Sequence, residues 1–131
     1  EQWGKVNDFG FVGRDVIYQI FSISKVGIVT LHPIINYLDS LPIKMFEYMA
    51  AGIPVIASDF PLWKSIIEEN NCGICVDPLN PEAIGEVINS LLSNDNLSEQ
   101  MGKNGRKAIE TKYNWENEFQ KLLSFYSNIL K

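Results

Sequence analysis

At 131 residues, with 46% hydrophobic and 21% charged side chains, the chain is about one domain with enough apolar material for a real core. A net charge of −5, with the basic residues scattered, excludes a nucleic-acid surface, because neutralising phosphates takes clustered lysine and arginine. No apolar run approaches the ~18 residues of a membrane span, and the opening EQWGKVNDFG has neither the basic head nor the apolar stretch of a secretory leader, so the expected location is the cytoplasm.

Residues 6–12 read as a strand interrupted by Gly10 and followed by Gly13, where a missing side chain permits close backbone approach. Asp15 is placed to cap a helix running to about Ser24, with Ile17, Ile20 and Phe21 on its inner face. The apolar run 26–31 then reads as a parallel strand covered by helices on both sides. HPIINYL at 32–38 is a loop, too broken by Pro33 and Asn36 to be regular. It follows the carboxyl end of a strand, where ligands of open α/β sheets bind. His32 reads as a proton carrier or as a hydrogen-bonded loop residue, and Tyr37 as a sugar contact or as filler beneath the loop.

The stretch 39–58, DSLPIKMFEYMAAGIPVIAS, holds the densest signal. Ser40 suits a helix cap, and Pro42 suits a first turn, whose backbone donor has no partner in any case. Gly52 can take the left-handed conformation that closes a helix, and Pro54 stops it, so 42–51 is a helix of about three turns followed by a buried strand at 54–57. That helix is apolar almost all round. Its two charges, Lys44 and Glu47, share one stripe with Ser40 and Ala51 at spacings of a 3.6-residue period. A lysine in the first turn opposes the helix dipole unless an anion lies between them, as in phosphate sites. A solvated Lys–Glu pair on an exposed edge is the other reading.

From Pro61 a helix carrying Leu62, Trp63, Ile66 and Ile67 ends near Asn70-Asn71, and GICV at 73–76 is the next strand. Cys72 and Cys75 form a lone C-x-x-C without a second pair, and read as structural core cysteines rather than a metal site. Asn80 caps a helix to about Ser93. A more polar helix over 97–111, weakened at Gly105, is expected on the surface. The final helix, 115–130, is amphipathic, and the face bearing Trp115, Phe119, Leu122, Leu123, Tyr126 and Leu130 requires cover. Strands alternating with helices imply an α/β fold: a doubly wound, Rossmann-like parallel sheet with helices on both faces and a helical C-terminus.

The segment 39–58 resembles the signature of the retaining, GT-B-fold glycosyltransferases of the large group-1 family, in which two acids flank seven residues ahead of a small-residue helix and an apolar strand. Asp39 and Glu47 have that separation; the family's usual first acid is glutamate, one methylene longer. The variant SLPIKMFEYMAAG is similar to enzymes that build bacterial surface polysaccharides, and the resemblance extends over about 6–131. It implies that Glu47 binds the nucleotide ribose and Asp39 the donor sugar. Ser40, Leu41, Pro42 and Lys44 would face the diphosphate, and Gly13 and Arg14 would lie near the base. A plain strand-to-helix turn is the other reading of Gly13 and Arg14.

By the same resemblance the chain is part of a C-terminal nucleotide-sugar-binding domain. An acceptor domain, and the first strand and helix of the donor half, would belong to a longer protein. The nucleotide-diphosphate sugar is the donor substrate, with no cofactor and no metal, and the full-length enzyme would associate peripherally with the inner face of the membrane. Two other classes share this architecture: a non-catalytic α/β binding module and a nucleotide-sugar epimerase. A receiver-like module needs clustered acids at strand ends, whereas Asp59 and Asp77 follow their strands singly.

Overall fold

A computed structural model describes residues 3–131, which form three parallel strands with helices packed on both faces. After a short 3-10 turn at Trp3–Lys5, the order is α1 (Arg14–Ile23), β1 (Gly27–Val29), α2 (Ile35–Leu38), α3 (Ile43–Ala51) and β2 (Val55–Ser58). Then follow α4 (Pro61–Glu69), β3 (Gly73–Val76), α5 (Pro81–Ser93), α6 (Asp95–Thr111) and α7 (Trp115–Ile129). The sheet order is β1-β2-β3, with Gly27 opposite Val55 and Val55 opposite Gly73. This is the α/β architecture expected from the alternation of elements.

Side chains alternate across the sheet and build two cores. Val29, Val55 and Ala57 meet Met45 and Met49 of α3, Trp63 and Ile67 of α4, and Ala108 of α6. On the other face Ile56 and Val76 meet Leu91, with Ile84, Val87 and Ile88 of α5 packed around them. β2 is buried at every position, as a central parallel strand should be. β1 departs from expectation: Ile28 is 42% exposed, because α5 packs against β2 and β3 and leaves the outer strand uncovered.

The helix ends follow local chemistry. Gly52 closes α3 with φ of 72°, donating its N–H to the carbonyls of Met49 and Tyr48. Asn80 caps α5 by accepting from the Ala83 N–H at 3.0 Å. Asp15 does not cap α1: Gly13 occupies the cap position without a side-chain bond, and Asp15 sits in the first turn, where the helix dipole favours an acid. Segment 32–38 is not wholly irregular, since α2 adds one helical turn.

The expected N-terminal strand is not found. Residues 6–12 form no strand, and Val6, Phe9 and Phe11 are exposed, because no neighbouring strand takes up their backbone groups among the described residues. The polar helix α6 keeps Glu99, Gln100, Lys103, Lys107 and Glu110 in solvent, as expected of a surface element, yet packs its other face closely. It buries Ser98, Gly102, Gly105 and Ala108 against α3 and the start of β3. Where two backbones approach this closely the contact residues must be small: a Cβ on Gly102 would land on the carbonyl oxygen of Gly52, and one on Gly105 would crowd Met49 and Cys72 at 3.3 Å. The final helix α7 buries none of its residues, so its apolar face does not fold back on the sheet and still requires cover, as its amphipathic pattern implies.

Candidate functional site

The loop entering α3 is built differently from the expected cap. Pro42, in extended conformation, is the cap residue, and helical geometry begins at Ile43. Ser40 points backward: its N–H and its hydroxyl both donate to the Tyr37 carbonyl, at 3.2 and 3.0 Å. The hydroxyl is thereby spent on the turn that ends α2 and caps nothing in α3. The Ser40 carbonyl instead accepts from the Trp63 indole N–H at 2.5 Å, toward the core. A trans peptide sets C=O and N–H antiparallel, so the Leu41 N–H is aimed away from the core. Lys44 lies exposed in the first turn of α3, and among the described residues it pairs with no carboxylate.

Glu47 lies one turn further along that exposed stripe and is the point where the sequence-predicted residues converge. Arg14 Nη1 lies 3.6 Å from Glu47 Oε1, so Glu47 pairs with α1 rather than with Lys44. A hollow of about 360 Å³ between α1, α3 and α6 is lined by Arg14, Tyr18, Phe21, Glu47, Ala50 and Arg106. A second of about 200 Å³ places Lys44 and Glu47 beside Ile17, Ile20, Phe21 and Tyr48. The phenol of Tyr48 reaches the Ile28 carbonyl at 3.4 Å, and its ring meets Phe21 edge-on with centroids 5.6 Å apart. Burial first, and then the Glu47 carboxylate, raise the Tyr48 pKa above its ordinary value. The result is a carboxylate accepting on two oxygens, flanked by a guanidinium and aromatic rings, with a cation one turn nearer the helix start. This set suits a polyhydroxylated anionic ligand with a planar part.

The crevice at the carboxyl ends of the strands is fixed by Ser58. Its buried hydroxyl donates to the Leu31 carbonyl and accepts from the Leu31 N–H, each at 2.9 Å. The segment containing His32 and Tyr37 departs from that point, and both side chains are exposed.

Of the residues singled out from the sequence, Lys44 and Glu47 therefore share one face of α3, and Arg14 of α1 meets that face at Glu47. Ser40 and Pro42 form the entry to that helix, whereas Leu41 lines a separate apolar hollow with Phe46, Ile66 and Tyr113. Asp39 is exposed at the end of α2, outside the two hollows around Glu47, and Gly13 takes part only as the cap of α1. Sequence reasoning missed Tyr18, Tyr48, Trp63 and Arg106. Arg106 donates to the Ala50 carbonyl at 2.7 Å and pairs with Glu110, a role available only once α6 lies against α3.

Comparison with known proteins converges on one family. The model for "Glycosyl transferases group 1" matches residues 1–108. Spore coat protein SA of Bacillus subtilis is 38% identical over 82 residues, covering 62% of this chain and 22% of that protein. An uncharacterised glycosyltransferase of Methanocaldococcus jannaschii is 29% identical over 93% of this chain and 30% of its own length. The capsular polysaccharide biosynthesis glycosyltransferase CapM of Staphylococcus aureus is 31% identical over 65% of this chain and 22% of its length. Among solved structures, sucrose-phosphate synthase from Thermosynechococcus elongatus superposes with a TM-score of 0.83 at 24% identity, covering 97% of this chain and 31% of that one, a likeness of fold. The chain thus spans between about a fifth and a third of these proteins. With the family model matching residues 1–108 of its 131, the chain belongs to the group 1 glycosyl transferases.

Proposed function

We propose that the chain is the donor-binding part of a retaining, metal-independent hexosyltransferase that moves a sugar from a nucleotide-diphosphate donor to a polysaccharide or glycolipid acceptor. The setting we propose is bacterial surface-polysaccharide synthesis, in the cytoplasm at the inner face of the membrane, with the acceptor domain supplied by the rest of a longer polypeptide. The observation that carries this reading is Glu47: a half-exposed carboxylate on the family's motif helix, facing a hollow with Arg14 and aromatic rings.

In this reading Glu47 accepts hydrogen bonds from both ribose hydroxyls, Arg14 lies toward the base, and Asp39 contacts the donor sugar. The departing diphosphate gathers charge as the glycosidic bond breaks. The entry to α3 around Leu41 and Pro42 meets that charge with backbone N–H groups, and the Lys44 ammonium adds a fixed cation.

The test is Glu47→Gln in the full-length enzyme. Replacing a charged acceptor with a neutral amide removes about 1.5–3 kcal/mol, so donor affinity or turnover should fall roughly ten- to 150-fold. Unchanged kinetics would dismiss the ribose role.

A further inference from the structure

The geometry points to Trp63 as a positioning residue of the donor site, an inference that rests on the donor-binding reading above. Trp63 belongs to α4 and is fully buried, its ring against Phe60 with centroids 4.8 Å apart and in the same core as Met45 and Met49 of α3. In this apolar setting its indole N–H must find an acceptor, and it finds the Ser40 carbonyl at 2.5 Å.

The partner matters as much as the bond. Segment 32–42 leaves β1 and enters α3 carrying Asp39, and its other hydrogen bonds are local, between residues two to three apart: Ile34 to His32, Tyr37 to Ile34, Ser40 to Tyr37 and Met45 to Pro42. Among the described residues, the Trp63 bond is its one hydrogen-bonded tether to an element distant in sequence. Asp39 is the residue before the tethered carbonyl, and Glu47 is held independently, on a helix whose Met45 and Met49 are locked in the core. Leu38, just before Asp39, packs against the same core, so the indole and Leu38 together set the spacing between the acid assigned to the sugar and the acid assigned to the ribose, and the indole is the part of that anchor that fixes the Ser40 carbonyl.

The experiment uses the intact enzyme with UDP-, GDP- and ADP-linked hexoses and the matching free diphosphates. Trp63→Phe keeps an aromatic ring and removes the N–H. Benzothienylalanine at position 63 replaces the N–H by sulfur at nearly constant shape and serves if the phenylalanine variant folds poorly. For the sugar nucleotide that binds, both variants should keep diphosphate affinity within about twofold, yet lose about tenfold in donor cleavage and in the extra affinity contributed by the sugar. Asp39→Asn should show the same pattern, and combining it with Trp63→Phe should add little, as expected for residues acting as one unit. If both Trp63 variants retain wild-type cleavage and sugar-to-diphosphate preference while Asp39→Asn loses them, the positioning role is overturned and the donor reading survives. If affinities for diphosphate and sugar nucleotide fall together with the melting temperature, Trp63 is purely structural and the inference fails. If Asp39→Asn is silent, the sugar contact itself is wrong and the inference falls with it.

Discussion

Gly102 of α6 lies against the carbonyl of Gly52, with no room between them for a methyl group. The two glycines are the point where α6 and the end of α3 touch backbone to backbone, and α3 is the helix that carries Lys44 and Glu47. Gly102→Ala must push these helices apart, and overpacking of this kind costs about 1–3 kcal/mol. Gly85 of α5 is the matched control: an added Cβ meets nothing within 4 Å, so Gly85→Ala should raise stability by about 0.5–1 kcal/mol through helix propensity alone. Urea denaturation of the two variants checks both signs, and equal effects would refute the close-contact reading.

Lys44 is expected to recognise phosphate charge. Isothermal titration should find nucleoside diphosphates binding more tightly than the parent nucleosides, and Lys44→Met should remove about 1–2 kcal/mol of that difference, roughly five- to thirtyfold. A variant that keeps the full preference would reduce Lys44 to a solvated surface cation.

Burial pushes the Cys72 thiol up to about 11 and the Cys75 thiol to about 12, with Glu68 adding to the latter. Both groups therefore stay neutral in the fold well above the pH at which they ionise in the unfolded chain, near 8.5. The unfolded state loses these protons first as pH rises, so stability conferred by neutral thiols is intact below about pH 8.5 and is lost progressively toward pH 11–12. Melting temperatures measured from pH 8 to 11 should fall more steeply for the native sequence than for a Cys72→Ala/Cys75→Ala variant. At pH 8 iodoacetamide should label neither thiol until the protein is unfolded. Rapid native labelling of Cys72 would contradict its burial, whereas Cys75, only partly buried, is protected by its raised pKa.

The outer face of α7 exposes Trp115, Phe119, Leu122, Leu123, Phe125, Tyr126, Ile129 and Leu130, and exposed apolar patches of this extent drive association. Since α7 does not fold onto its own sheet, the isolated 131-residue chain should self-associate, with sedimentation velocity showing species larger than 14.9 kDa. Leu122→Lys with Tyr126→Lys should restore the monomer. A monomeric native chain would show that the patch is tolerated in water.

What the sequence disclosed is what local chemistry decides. Gly52 and Pro54 end α3 whatever surrounds them, Asn80 caps α5 with its own side chain, and Val55, Ile56 and Ala57 at the centre of the sheet are apolar at consecutive positions that only burial on both faces explains. The misreadings share the opposite cause. The packed face of α6 was not legible because it is made of Ser98, Gly102, Gly105 and Ala108, residues with little hydrophobicity whose value lies in being small. Ser40 looked like a cap because its chemistry permits one, yet the turn at Tyr37 competes for the same hydroxyl. In the site, Lys44 and Glu47 were legible as a stripe, but the partner of Glu47 was not, since Arg14 arrives from another helix. Trp63 was visible as a core residue, while the carbonyl its nitrogen seeks lies 23 positions earlier in the chain.

Ser58 stands where β1 and β2 part, and its hydroxyl pairs with both backbone groups of Leu31 as a neighbouring strand residue would. The last rung of the ladder is thus a side chain belonging to the scaffold and owes nothing to the segment that begins at His32. A scaffold that finishes its own edge in this manner decouples the sheet from the loop above it: residues 32–37, ahead of Leu38 and the tethered Ser40 carbonyl, can be exchanged, lengthened or reshaped without renegotiating the strands beneath them. Variation at this rim then becomes a matter of loop substitution, with one serine serving as the boundary on the strand side between what is free to vary and what is not.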